Sequence, residues 1–297
     1  MFKTVRRQAV ALGVAALVIV GLVGCGSAQQ TSTSSSQTSN QTGQSQLDKK
    51  VITAAGSTAL QPLVKVAASD FAGTNPGYQV NVSGGGSFTG LNNVASGAID
   101  IGDSDVDVAA APQLQDKGLV DHKVAVAPFL IIVNPDVNVD NLTQAQLKDI
   151  FTGKITNWKA VGGKDEKISI IGRAKSSGSR ATIKKIVLEG AEFTDAATAQ
   201  DSTGNLITAV GQTPGAIGYI DAAYLNDKVK ALKYNGVEYT PDNVFTGKYP
   251  IYAYEHMFTK GEATGTVKAF LDYILSADFQ ANTVVKKGFL PLDKMQK

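Results

Sequence analysis

Cys25 is the only cysteine among 297 residues, so no disulfide can form within the chain. Histidine is nearly as scarce. His122 and His256 lie far apart, with no spacing that suits a metal. Charge of one sign is also missing once the first residues are set aside. The formal charge of +2 includes Lys3, Arg6 and Arg7, and without them 25 basic residues face 26 acidic ones. Nothing in that balance favours nucleic acid or an anionic membrane surface as a partner. The apolar run from Ala9 to Gly24 falls short of the roughly 20 residues of a membrane span.

That run reads instead as a signal peptide, residues 1–24, with a basic start and an apolar middle. It ends in Leu22-Val23-Gly24-Cys25, small residues leading to the sole cysteine. This is the pattern of a lipoprotein signal, in which Cys25 is acylated and becomes the new N-terminus. The competing reading is a buried structural cysteine behind an ordinary secretion signal. Export and a lipid anchor on the extracytoplasmic face of the cell membrane are expected. The next 21 residues, 26–46, carry no charge and almost no apolar side chain, which suits a flexible tether over 25–47. As a coil the tether averages about 25 Å, and stretched it reaches roughly 70 Å. A long polar tether on a lipid anchor leans towards a single-membrane bacterium.

From Val51 onward, short β-branched runs, glycine-rich turns and helical patterns alternate. Val51–Ala55 reads as a strand. Leu60, Leu63, Val64, Ala67, Ala68 and Phe71 then mark one helix face, with Pro62 in its first turn. Tyr78–Val82 and Ile99–Gly102 read as two more strands, the first followed by a short helix through Leu91 and Val94. Three strand-turn-helix units in succession predict an α/β fold with a largely parallel sheet. With 43% hydrophobic residues the chain can build a substantial core.

Polar residues collect after these strands. Ser57 and Thr58 follow the first, Ser87 sits in the glycine run after the second, and Asp103 and Asp105 follow the third. A later strand, Lys167–Ile171, leads into "IGRAKSSGSRATIKKI", residues 170–185. Ser176 or Ser177 can cap the helix that Ile183, Ile186 and Val187 mark. A helix start offers free N–H groups and a positive dipole end, so with Arg173 it suits an anion. Other readings of this stretch fail. Gly172 and Gly178 have five residues between them where a Walker loop needs four. Ala174 stands where Gly-x-Ser-x-Gly needs its first glycine. The interleaved aromatics of a nucleic-acid patch are absent. In open α/β sheets ligands bind beyond the carboxyl ends of strands. Four such ends carrying hydroxyls, amides, an arginine and an aspartate describe a small oxyanion site, although each alone reads equally as a plain helix cap.

The segments "AAGSTALQPLV", "VNVSGGGSFTGL", "AIDIGDSDV" and "IGRAKSSGSRATI" resemble, in order and spacing, the binding segments of the phosphate-binding proteins of phosphate ABC importers. "LTQAQLKDIFTGKITNW", "TPGAIGYID" and "KKGFLPL" look like that family's connecting segments, so the resemblance covers the chain from about Val51 to its end. It implies a two-lobed, periplasmic-binding-protein-like α/β fold with mixed, mainly parallel sheets. Two crossing segments near Val124–Pro135 and Tyr249–Phe258 would join the lobes around a ligand cleft. Residues 48–130 with 252–297 would form one lobe and 131–251 the other. By the same resemblance the phosphate ligands fall on Ser57, Thr58, Ala59, Ser87, Asp105, Arg173, Ser177, Gly178 and Ser179. Ser179 replaces the family's usual threonine and keeps its hydroxyl; Ala59 can contribute only its N–H. Lys175 and Arg180 match no ligand position and are expected to be surface charges. The implied partners are inorganic phosphate and a membrane complex of two permease subunits and an ATPase, with no cofactor, no metal and no nucleic acid.

A surface hydrolase would need an activated nucleophile, a metal or an acid–base pair. Asp103 and Asp105 admit a reading as paired carboxylates or hard-cation ligands in "DSDVD". One arginine and several hydroxyls around a carboxylate suit an anion better. Capture of another tetrahedral oxyanion, of the sulfate or molybdate class, is the nearer alternative, and a purely adhesive surface lipoprotein the more distant one. His256, in an apolar strand, is expected to be structural.

Overall fold

The computed structural model describes residues 49–295. The segments expected to be a signal peptide (1–24) and a tether (25–47, with Cys25) lie outside the described residues. Eleven strands run as β1 (Val51–Gly56), β2 (Gln79–Ser83), β3 (Ile101–Ser104), β4 (Leu119–Val133), β5 (Asn141–Leu142), β6 (Ser169–Arg173), β7 (Thr198–Gln200), β8 (Ala216–Asp221), β9 (Lys230–Ala231), β10 (Lys233–Tyr234) and β11 (Tyr252–Lys260) among the described residues. The α-helices are α1 (Gln61–Thr74), α2 (Ser87–Ser96), α3 (Gln144–Phe151), α4 (Gly178–Ile186), α5 (Thr203–Gln212), α6 (Pro241–Phe245) and α7 (Gly265–Ile274).

The chain folds into two α/β lobes that share one long strand. In the principal sheet the order is β2-β1-β3-β11-β4-β8-β6-β7, with β9 also on β4, while β5 and β10 form a separate pair. β1 is parallel to β2 and β3, and β6 is parallel to β7 and β8; β11 and β4 introduce the antiparallel pairs. The fifteen-residue β4 changes partner along its length: Leu119 to Pro128 pair with β11, and Phe129 to Val133 with β8. Val124 to Val133 are buried without a break, so this strand lacks the alternation of a sheet with one wet face.

Helix α1 buries the face its spacing predicts. Leu63, Val64, Ala67, Ala68 and Phe71 are all buried, and Leu60 completes the stripe from the cap position. Each buried Leu, Val or Phe contributes about 1.5–3 kcal/mol. Phe71 meets Phe270 of α7 edge to face, with ring centroids 5.5 Å apart. The third strand starts at Ile101 rather than Ile99. Asp100 is engaged before it: its carboxylate accepts from Thr53 N–H at 2.8 Å and from Lys49 at 2.7 Å, which bends the chain into the sheet.

Candidate functional site

The site forms where the ends of β1, β3 and β6 meet the starts of α1, α2 and α4. Ser57 leaves β1 with its N–H on the carbonyl of Asp103 at 2.8 Å. Its hydroxyl accepts the N–H groups of Ala59 (3.1 Å) and Leu60 (3.0 Å) and donates to Asp105 Oδ1. Ser87 opens α2, and its Oγ accepts the Asp105 N–H at 3.0 Å. Gly86 precedes it at φ +94, a conformation that favours glycine. From the second lobe, Ser179 donates its hydroxyl to Asp105 Oδ2 at 2.7 Å. Asp105 therefore gathers three serines, two through its carboxylate and one through its main chain. It is 3% exposed.

Arg173 is the last residue of β6 and is also 3% exposed. Its Nη2 donates to Thr58 Oγ1 at 2.9 Å and to the Asp201 carbonyl at 3.2 Å. Nη1 donates to Thr203 Oγ1 at 3.0 Å, and Nε to the Gln200 carbonyl at 3.3 Å. Burial lowers the guanidinium's pKa and the facing Asp105 raises it, but arginine keeps its proton in proteins. The Arg173 N–H is held by the Tyr219 hydroxyl at 3.2 Å, and burial pushes that phenol up to about 12.

Ser177 caps α4, its side chain accepting the Arg180 N–H at 3.2 Å. This resolves the choice between Ser176 and Ser177. Ser176 serves the lobe contact instead, its carbonyl accepting the Phe88 N–H at 3.0 Å. Gly178 lies against Ser87. A Cβ there would stand 2.8 Å from Ser87 Cβ and 3.0 Å from Asp105 Cβ. Ser57, Thr58, Ala59, Ser87, Asp105, Arg173, Ser177, Gly178 and Ser179 are thus brought into one buried cluster that bridges both lobes.

Two expectations need correction. Asp103 does not follow β3 but lies inside it, fully buried, with no hydrogen-bond partner on either carboxylate oxygen among the described residues. Burial, reinforced by the charge of Asp105, pushes its carboxyl well above the usual range, which disfavours an ionised pair with Asp105. Arg180 is not a free surface charge. Its guanidinium lies over the Phe193 ring, 4.2 Å from the centroid, and donates to the Arg173 carbonyl at 3.3 Å. The α4 turn carries it onto that ring.

Sequence reasoning missed Thr203 and Tyr224. Thr203 opens α5 just after β7, and its N–H donates to Thr58 Oγ1 at 3.2 Å. The two threonine hydroxyls are 3.1 Å apart. The Ser202 cap after a short strand was the available signal, the same one that marked Ser57 and Ser177. Tyr224 donates its hydroxyl to the Thr58 carbonyl at 2.6 Å, and no local pattern announces it.

Neither histidine hydrogen-bonds a site hydroxyl. His122 Nε2 pairs with Thr259 Oγ1 at 3.0 Å, and buried His256 pairs through Nδ1 with Asp121 at 2.7 Å. The fold does bring Asp107 near that pair, one ligand atom of each residue lying within 4.8 Å of the others. Beside them a cavity of about 770 Å³ is bounded by Asp105, Tyr252, Tyr254 and His256.

A cleft between two α/β lobes, lined by hydroxyls, N–H groups, one arginine and one carboxylate, defines a small-oxyanion binding protein. The sequence model of the PBP superfamily domain matches residues 28–278. The chain is 48% identical over 246 residues to the phosphate-binding protein PstS of Bacillus subtilis, covering 82% of each. It is 28% identical to the Borreliella burgdorferi PstS, covering 82% of this chain and 90% of that one. A Clostridium perfringens structure, described as a phosphate ABC transporter substrate-binding protein with bound phosphate, superposes with a TM-score of 0.77 at 32% identity. The match covers 82% of this chain and 99% of that one. This chain belongs to the PBP superfamily, in the family of the PstS phosphate-binding proteins.

Closure around Gly178 gives a direct test of the site. Gly178→Ala puts a methyl group between α4 and the first lobe, so it penalises the closed form. Overpacking costs about 1–3 kcal/mol, which corresponds to roughly 5–150-fold in affinity. The expected result is weakened phosphate binding with an unchanged unfolding temperature, since alanine suits a helix start. Wild-type affinity would show that the lobes need not approach this closely.

Proposed function

We propose that the protein captures inorganic phosphate outside the cytoplasm and delivers it to an ABC import permease. The observation that carries this reading is Asp105, an acceptor held by hydroxyls from both lobes in a cleft whose cation is Arg173. A tetrahedral oxyanion that retains a proton matches that set, because its oxygens accept from Arg173 and the hydroxyls while its O–H donates to Asp105. The nine residues from Ser57 to Ser179 named above are the proposed ligands, with Thr203 as an added neighbour of Arg173. The relatives' names support transport rather than catalysis.

The lobes are drawn as 48–130 with 252–297, and 131–251; the partner change at Phe129 of β4 supports that division. Acylation at Cys25 would anchor the protein on the outer face of the cell membrane, with the tether keeping it near two permease subunits and their ATPase. Among the described residues no helix is long and apolar enough to cross a membrane. Calorimetric titration with phosphate, sulfate and molybdate tests the assignment. Phosphate is expected to bind tightly and the other two to fail as competitors. Equal binding of sulfate or molybdate would move the protein to another oxyanion class.

A further inference from the structure

Beside Asp105 lies a second buried carboxyl, that of Glu255. Glu255 sits in β11 at an irregularity, where the register with β4 shifts between Glu255 and His256. Such bulges re-aim a side chain. Glu255 is 0% exposed, and among the described residues neither of its oxygens receives a hydrogen from a donor. β11 pairs antiparallel with β3, His256 opposite Ser104 and Met257 opposite Asp103, so Glu255 falls opposite Asp105, whose carboxylate is in its reach. Two carboxyls that face each other without an intervening donor need a proton between them.

The surroundings place that proton on Glu255. The groups that face it are Asp105, Asp221 at the end of β8 and Asp103 in β3, with the Tyr224 phenol nearby. Asp221 is itself 1% exposed and uses one oxygen on the Ala223 N–H at 2.7 Å, leaving Oδ2 without a partner among the described residues. Arg173 is the cation that faces Asp105. Four ionised carboxylates around one guanidinium would leave a large negative excess where an anion must bind. Burial, then the charges of Asp105 and Asp221, push Glu255 well above the usual carboxylate range. Asp105 already accepts hydrogens from Ser57 and Ser179, and it alone among these acids is supplied with donors on both oxygens.

We propose that Glu255 is a positioning residue of the phosphate site: it stays protonated and donates its O–H to the Asp105 carboxylate. This rests on the phosphate reading of the cleft. A carboxylate has about four lone-pair positions. Ser57 takes one on Oδ1 and Ser179 one on Oδ2. Glu255 takes a third and leaves one for the hydrogen of the bound anion. Its hydrogen bond fixes the plane of the Asp105 carboxylate, while its neutrality keeps a further negative charge away from the ligand.

Two measurements test the proposal, both on the complete protein. The infrared spectrum of wild type at neutral pH, minus that of Glu255→Gln, should show the C=O stretch of a protonated carboxylic acid. A carboxylate band in its place would overturn the assignment. Calorimetry with inorganic phosphate should find Glu255→Gln within about threefold of wild type, because its amide N–H replaces the O–H. Glu255→Leu keeps neutrality and approximate size but has no donor, and it should bind at least tenfold more weakly. Equal losses in the glutamine and leucine variants, or none in leucine, would show that no hydrogen bond from this position matters. Should the leucine variant fail to fold, the infrared difference and the glutamine affinity still decide. Failure of wild type to bind phosphate would instead sink the reading of the cleft, which the infrared band does not depend on.

Discussion

Replacing Asp105 with asparagine is expected to admit sulfate, which the wild-type site is expected to reject. Phosphate near neutral pH keeps at least one proton, whereas sulfate has none. An ionised carboxylate only accepts, so it receives phosphate's hydrogen but meets sulfate lone pair to lone pair. A site built around one hydrogen bond rejects the analogue lacking it by about 10⁴-fold or more, and here repulsion adds to the effect. Asp105 is suited to that role because it is buried and its carboxylate is oriented by Ser57 and Ser179. The amide of Asp105→Asn removes the charge and can donate to sulfate. The serine hydroxyls can rotate to accept from it, so the fold should persist. Competition of sulfate against bound phosphate, measured in wild type and mutant, reads the change. If the mutant excludes sulfate as strongly as wild type does, selectivity lies elsewhere in the cleft.

Arg173→Lys should weaken phosphate binding by about 1.5–3 kcal/mol, the worth of a charged hydrogen bond, or roughly 10–150-fold. The guanidinium is held in one plane by Gln200, Asp201, Thr58 and Thr203, which occupy four of its five N–H groups, so the remaining Nη1 donor is preset for the ligand. A lysine ammonium is a point charge with three donors and cannot reproduce that fork. It also leaves two buried threonine hydroxyls on opposite lobes without their shared donor. Calorimetric titration of the mutant checks this, and wild-type affinity would remove Arg173 from the site. Sulfate rejection should survive in Arg173→Lys, because Asp105, the group proposed to enforce it, is unchanged; this separates the two roles.

What the sequence determined by itself was local. The stripe Leu60, Leu63, Val64, Ala67, Ala68 and Phe71 is buried because a helix repeats every 3.6 residues whatever it packs against. Ser177 caps α4 because its hydroxyl reaches an N–H three residues on. Polar residues after apolar strands marked most of the residues that the fold gathers into the buried cluster, since strand ends in such sheets lie on one side. Only the tertiary structure decided the rest. Asp100 draws on Lys49 and Thr53, about fifty residues away, and so delays the start of β3. Arg173 reaches Thr58 across 115 positions, and Thr203 meets Thr58 across 145. The Tyr224 contact with Thr58 and the Glu255 approach to Asp105 are of the same kind. Periodicity and capping act within a few residues, whereas these pairs arise when β4 and β11 set one lobe against the other. A buried carboxyl in β11 looks like any strand residue until the fold places a second carboxylate in front of it.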